Sequence, residues 1–118
     1  MDRAQGVTNA CTDTSSFITD VEFMTVLGLD KDLTSDQFTQ ATSAAGCCNA
    51  CFTQGKGTCA GWFFNPSSKF TPCAMVMIKT GGPGADDSCP NGYAASLEIN
   101  KGGDGVAGKG PCLTDGNT

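Results

Sequence analysis

The residues with chemistry to offer are the cysteines. Eight occur in 118 residues. Three fall in Cys47-Cys48-Asn49-Ala50-Cys51, followed by Cys59 and Cys73. Such a cluster can be a metal site, a redox site or a structural staple. The chain has no histidine, so mixed Cys/His zinc sites are excluded, and the paired short spacings of an all-cysteine site are missing. Ser-His and Cys-His nucleophile pairs are excluded for the same reason. The even count reads as four disulfides, hence an oxidising compartment: secreted, periplasmic or cell-surface, with a secreted, extracellular protein as the expectation.

Carboxylates are the next candidates. Asp20/Glu22, Asp30/Asp32 and Asp86/Asp87 are pairs of the kind a glycosidase uses. All lie in turns or beside glycine, whereas a catalytic pair needs a cleft that raises one pKa. The same residues are oxygen donors for calcium, but no Asp-x-Asp-x-Asp-Gly loop surrounds them. The expectation is a protein that is not an enzyme, with no catalytic residue, metal or cofactor.

Binding is the better class. Trp62 is the lone tryptophan, flanked by Phe63 and Phe64. On a strand, Trp62 and Phe64 share one face and Phe63 takes the other. Aromatics of a small domain belong first to its core. The competing reading leaves one face exposed to stack on a sugar ring, with Trp62, Phe64, Asn65 and Tyr93 as the binding residues. Formal net charge is −5 and the seven basic residues are scattered. That speaks against nucleic acid, which needs a basic face, and against anionic membrane. No apolar run approaches the ~20 residues of a membrane span, so no membrane insertion is expected. The sequon Asn65-Pro66-Ser67 is blocked by its proline.

These residues need elements to position them. Hydrophobic residues make up 39%, much of it alanine and cysteine, so the core is modest and disulfides must supplement it. The length suits a single domain over 1–118. It has a polar arm over 1–16, anchored by Cys11, and a Gly-rich tail over 101–118, anchored by Cys112. The first six residues hold no apolar signal core, so a mature form is expected. Residues 17–29 are rich in β-branched and aromatic types and read as one or two strands with a bend near Asp20 or Gly28. Thr34 and Gln37 have capping-box spacing and offer one helix start. Thr42-Ser43 before Ala44-Ala45 offers a second and safer one, and Gly55-Lys56-Gly57 stops that helix. There Cys47 and Cys51 share a face, while Cys48 points about 100° away. Residues 59–64 and 73–78 read as strands, the second apolar on both faces and therefore internal. Residues 80–88 form a Gly-rich loop, and 93–99 a final strand. The Gly-rich stretches 80–88 and 101–110 serve either as flexible connectors or as contact surfaces. The order gives an α+β domain with an antiparallel sheet.

A helix carrying Cys47-x3-Cys51, then Cys59-x2-Trp62-Phe63-Phe64, then Cys73-x-Met75 resembles the PAN/Apple domain. The doubled Cys47-Cys48 and Cys89-Pro90-Asn91-Gly92 resemble its variants in small secreted fungal and oomycete proteins. The likeness is firm over 43–79 and looser over 17–42 and 89–112. It implies a twisted antiparallel sheet of about five strands with one helix packed across it. Eight cysteines allow about a hundred connectivities. The resemblance implies Cys47–Cys73 and Cys51–Cys59, with Cys11–Cys112 as in the Apple subtype and Cys48–Cys89 as the pair that remains. Cys48, pointing away from the sheet-facing pair, would then hold the long loop. The resemblance also implies a module that recognises carbohydrate or extracellular protein. The alternative is a structural protein that self-associates through its arms or open strand edges into an oligomer or fibre.

Overall fold

The computed structural model describes residues 11, 17–29, 31–55, 57–67, 72–79 and 81–113. The polar arm apart from Cys11, the tail beyond 113, and Asp30 lie outside the described residues. Five strands form one antiparallel sheet: β1 (Ile18–Leu27), β2 (Thr34–Thr39), β3 (Cys59–Phe64), β4 (Cys73–Ile78) and β5 (Ser96–Lys109). Their order is β1-β5-β3-β4-β2. The α-helix α1 (Ala44–Thr53) packs against β3, β4 and β5. This is the α+β architecture expected from the sequence.

Both candidate positions for the bend of the first strand are special. Asp20 has φ 59°, and β1 ends just before Gly28. The helix starts at the second of the two candidate positions. Ser43 caps it with extended backbone, its Oγ accepting from the Gly46 N–H at 3.0 Å. Cys47, Cys48, Ala50 and Cys51 are its buried residues.

The first candidate helix start is overturned. Thr34–Thr39 is strand β2, paired with β4 from Thr34↔Ile78 to Thr39↔Cys73. A capping box is a local signal, and Asp36-Gln37-Phe38-Thr39 offers no apolar stripe for a helix to bury. The ladder of β4 was the stronger partner. That pairing also makes β4 internal, as its two apolar faces require.

The Gly-rich tail is also corrected. Residues 101–109 are the second half of β5 rather than a loop. Val21 of β1 opposes both Lys101 and Gly105, so residues 102–104 bulge out of the ladder. Beyond the bulge β5 pairs with β3, from Phe64↔Val106 to Gly61↔Lys109. Glycine weakens a strand in general but permits close approach. At Gly105 a Cβ would collide with the Phe63 ring, and at Gly108 with the Trp62 indole.

The core has two halves. Cysteines of α1 gather with Cys11, Cys59, Trp62, Cys73 and Met75 in the first. The second holds Val21, Met24 and Val26 of β1 with Val76, Ile78 and Ala107, and with Cys89 and Cys112. Along β3, Phe63 packs on the second half while Trp62 and Phe64 belong to the first. That alternation places the halves on opposite faces of the sheet.

All eight cysteines are paired. Cys47–Cys73 and Cys51–Cys59 join the helix to β4 and β3, as the resemblance implied. The other two implied pairs are overturned. Cys11 bridges to Cys48, and Cys89 to Cys112. The reason lies in the two halves of the core. Cys11 and Cys48 sit with the helix, whereas Cys89 and Cys112 sit across the sheet. After β5 the chain turns along residue 94, with Ala94 N–H donating to the Cys112 carbonyl and Ala94 bridged to Leu113. This brings Cys112 to the long loop and leaves Cys48 for the amino-terminal arm.

Candidate functional site

The four residues expected to bind a sugar do not come together. Trp62 is fully buried, with Phe17 edge-on at 4.8 Å between ring centroids. It therefore has no face for a ligand to stack on, and the core reading of this tryptophan holds. Phe64 is half-buried against the helix-side core. Asn65 shapes a turn: its Oδ1 accepts from the Ser67 N–H at 3.0 Å and its N–H donates to the Pro72 carbonyl at 2.7 Å. Tyr93 packs on the opposite half of the core.

Tyr93 is instead part of a latch. Its hydroxyl donates to the Asp86 carboxylate at 3.0 and 3.1 Å. The N–H groups of Ser88 and Cys89 donate to the same carboxylate. Further bonds, Asn91 Nδ2 to the Ile78 carbonyl and Gly82 N–H to the Asn91 carbonyl, fix the loop onto the sheet. The Cys89 N–H bond holds the Asp86 pKa below its ordinary 3.8, the Tyr93 bond adds to it, desolvation opposes, and the Ser88 bond adds a smaller part. Tyr93 is pushed above its ordinary 10.0, first by the Asp86 hydrogen bond, then by burial and by the Asp86 charge. A lowered carboxylate stabilises the fold above its unfolded pKa, and that contribution is lost as pH falls through the folded value. A raised phenol stabilises below its unfolded pKa and loses its contribution as pH rises through the folded value. Tyr93 is the only tyrosine, so its ionisation can be followed by ultraviolet absorbance. Its midpoint is expected above 10.0 in the native protein and back towards 10.0 in Asp86→Ala.

Of the other carboxylate pairs, Asp30 lies outside the described residues and Asp32 is exposed. Asp20, Glu22 and Asp87 are exposed. Among the described residues no three His, Cys, Asp or Glu side chains converge on a metal position. Among them, too, no helix is long and apolar enough to cross a membrane.

Sequence reading missed a groove. The segment 39–43, leading from β2 into α1, faces one side of the helix and encloses about 390 Å³. The hydroxyl-bearing Thr39, Thr42, Ser43 and Thr53 and the amide-bearing Gln40, Asn49 and Gln54 line it, together with Ala41, Gly46 and Ala50. Not one lining residue is ionisable. Gly46, Asn49/Ala50 and Thr53 follow the helix period, and this stripe was the signal available in the sequence. Asn49 Oδ1 is buried without a hydrogen-bond partner among the described residues. An orphan acceptor of this kind costs about 1–3 kcal/mol. A second depression, of about 420 Å³ between Gly28, Leu29, Leu33, Gly81 and Pro83, offers no polar side chain.

Comparison of the chain with protein-family models, with curated proteins and with solved structures returns no match.

Proposed function

We propose that this chain is a secreted, non-catalytic recognition module of PAN/Apple-like type that binds carbohydrate or protein at a cell surface or host interface. The observation that carries this reading is an uncharged polar groove built on a helix that three disulfides fix in place. Binding costs less when the receptor is ordered beforehand, and cross-linking of this density serves a small domain in an oxidising compartment. The two bridges from α1 to β3 and β4 support the family likeness. The test is to probe the oxidised protein against a glycan array and against surface proteins of its native surroundings. Specific capture that disappears on reduction is the expected result. A folded protein that captures nothing in either arm would sink the reading.

Self-assembly has its own support. The outer strands β1 and β2 carry exposed apolar side chains, Phe23 and Phe38, each 56% exposed. Such edges pair with other strands unless charge or proline blocks them. Light scattering separates the readings: growth of mass with concentration, suppressed by Phe38→Lys, favours assembly, and a monomer throughout removes it.

A further inference from the structure

The groove between segment 39–43 and α1 has a chemistry that narrows its ligand. We infer that it binds a neutral saccharide unit of one or two rings, an inference that rests on the recognition reading above and locates its site. Three observations lead there. The lining is made of hydroxyls and carboxamides, groups that both donate and accept, as sugar hydroxyls do. The volume, about 390 Å³, lies at the small end of ligand pockets, which run from about 300 to 1,000 Å³. Asn49, on the helix wall, carries an acceptor left without a partner among the described residues, which a ligand hydroxyl can satisfy. The amide torsion is soft, so Asn49 can turn its oxygen to meet such a donor.

The lining also rejects the alternatives. A sulfated or uronic glycan needs cations, and no lining residue supplies one. A peptide in a groove is held by apolar anchors or an added strand, and the only apolar lining residues are Ala41, Gly46 and Ala50. Some lining groups already have work to do. Thr53 Oγ1 donates to the Asn49 carbonyl at 2.8 Å and keeps its lone pairs for a ligand. Ser43 Oγ is engaged with Gly46 N–H as the helix cap. The walls are held in register by Cys47–Cys73, because Thr39 at the end of β2 pairs with Cys73.

The test is calorimetry and array binding with neutral oligosaccharides, on the oxidised protein and on Asn49→Ala and Thr42→Val. Neutral glycans are expected to bind, with an affinity unchanged from about pH 5 to pH 8 and across a roughly tenfold range of salt. Each variant is expected to lose affinity by about tenfold or more, the loss of one or two hydrogen bonds. Asn49→Ala removes the orphan acceptor and places alanine in a helix, so its melting temperature should hold or rise. Loss of binding in that variant thus reads as a lost contact and not as unfolding. Neutral-glycan binding that survives both substitutions would overturn the groove as the site and leave the recognition reading standing. No neutral-glycan binding by the folded protein would overturn the ligand class, and so would binding restricted to anionic glycans with a steep salt dependence. Surface-protein capture would then decide the recognition reading on its own.

Discussion

Replacing Cys47 and Cys73 together by alanine should lower stability by about 4 kcal/mol, near the upper end for a native disulfide in a small domain. The bridge closes a 26-residue separation, worth about 3.5 kcal/mol in the chain-entropy model. Both cysteines are fully buried, among Trp62, Met75 and Cys51, so packing is lost as well. The bond also fixes α1 to an internal strand, and the groove wall goes with it. Urea denaturation followed by far-ultraviolet circular dichroism measures the effect, with an earlier midpoint as the expected result. A midpoint unchanged from the native protein would show that the helix holds to the sheet without its staple. The same approach tests connectivity. Cys11→Ser with Cys48→Ser should leave no titratable thiol, because the two are partners. Cys11→Ser with Cys112→Ser should leave two, at Cys48 and Cys89. The opposite result would restore the Apple-type closure of the termini.

That contrast shows which parts of the fold the sequence carried. Cys47 and Cys51 are one helical turn apart, so spacing places both on one helix face, while which strand cysteine each meets is what the family resemblance implied and the structure bears out. Cys48 points elsewhere, and its partner depends on which segment passes that side of the helix. The path of the amino-terminal arm is a long-range fact with no local signal. The Thr34–Gln37 capping box misled for a related reason: four residues of helix chemistry lost to six pairings with β4. The Gly-rich stretch after Lys101 reads as a loop because glycine is depleted in strands. Two of its glycines, Gly105 and Gly108, sit where rings from the neighbouring strand fill the space of a side chain. Trp62 and Tyr93 were legible as aromatic, but whether each is core, latch or platform depends on burial. Even the groove lining was visible as a helical stripe of Gly46, Asn49 and Thr53. It stayed unread because the segment facing it is polar and carries no periodic pattern.

The second large effect is expected at Gly108. Gly108 lies directly across from Trp62 in the β3–β5 ladder. A Cβ there would stand 2.5 Å from Trp62 Cζ2 and 2.6 Å from Cε2, inside van der Waals contact. The indole cannot retreat, since Phe17 meets it edge-on and Met75 and Cys73 share its buried cluster. Gly108→Ala should therefore cost about 3 kcal/mol, the upper range for one methyl group forced into a packed core. Trp62 is the only tryptophan, so its fluorescence reports the displacement and should shift to longer wavelength as the ring is pushed towards solvent. Trp62→Leu alone opens a cavity at the same place and should also destabilise. Combined, the two substitutions fill each other's error. The double variant should be more stable than the sum of the singles by about 1 kcal/mol or more, a coupling usual for residues in contact. Strict additivity would mean that the glycine is present for the backbone and not for the ring. A positive coupling instead identifies Trp62 over Gly108 as the contact that lets a Gly-rich segment serve as a strand, with the disulfide-bound helix closing the other side of the ring.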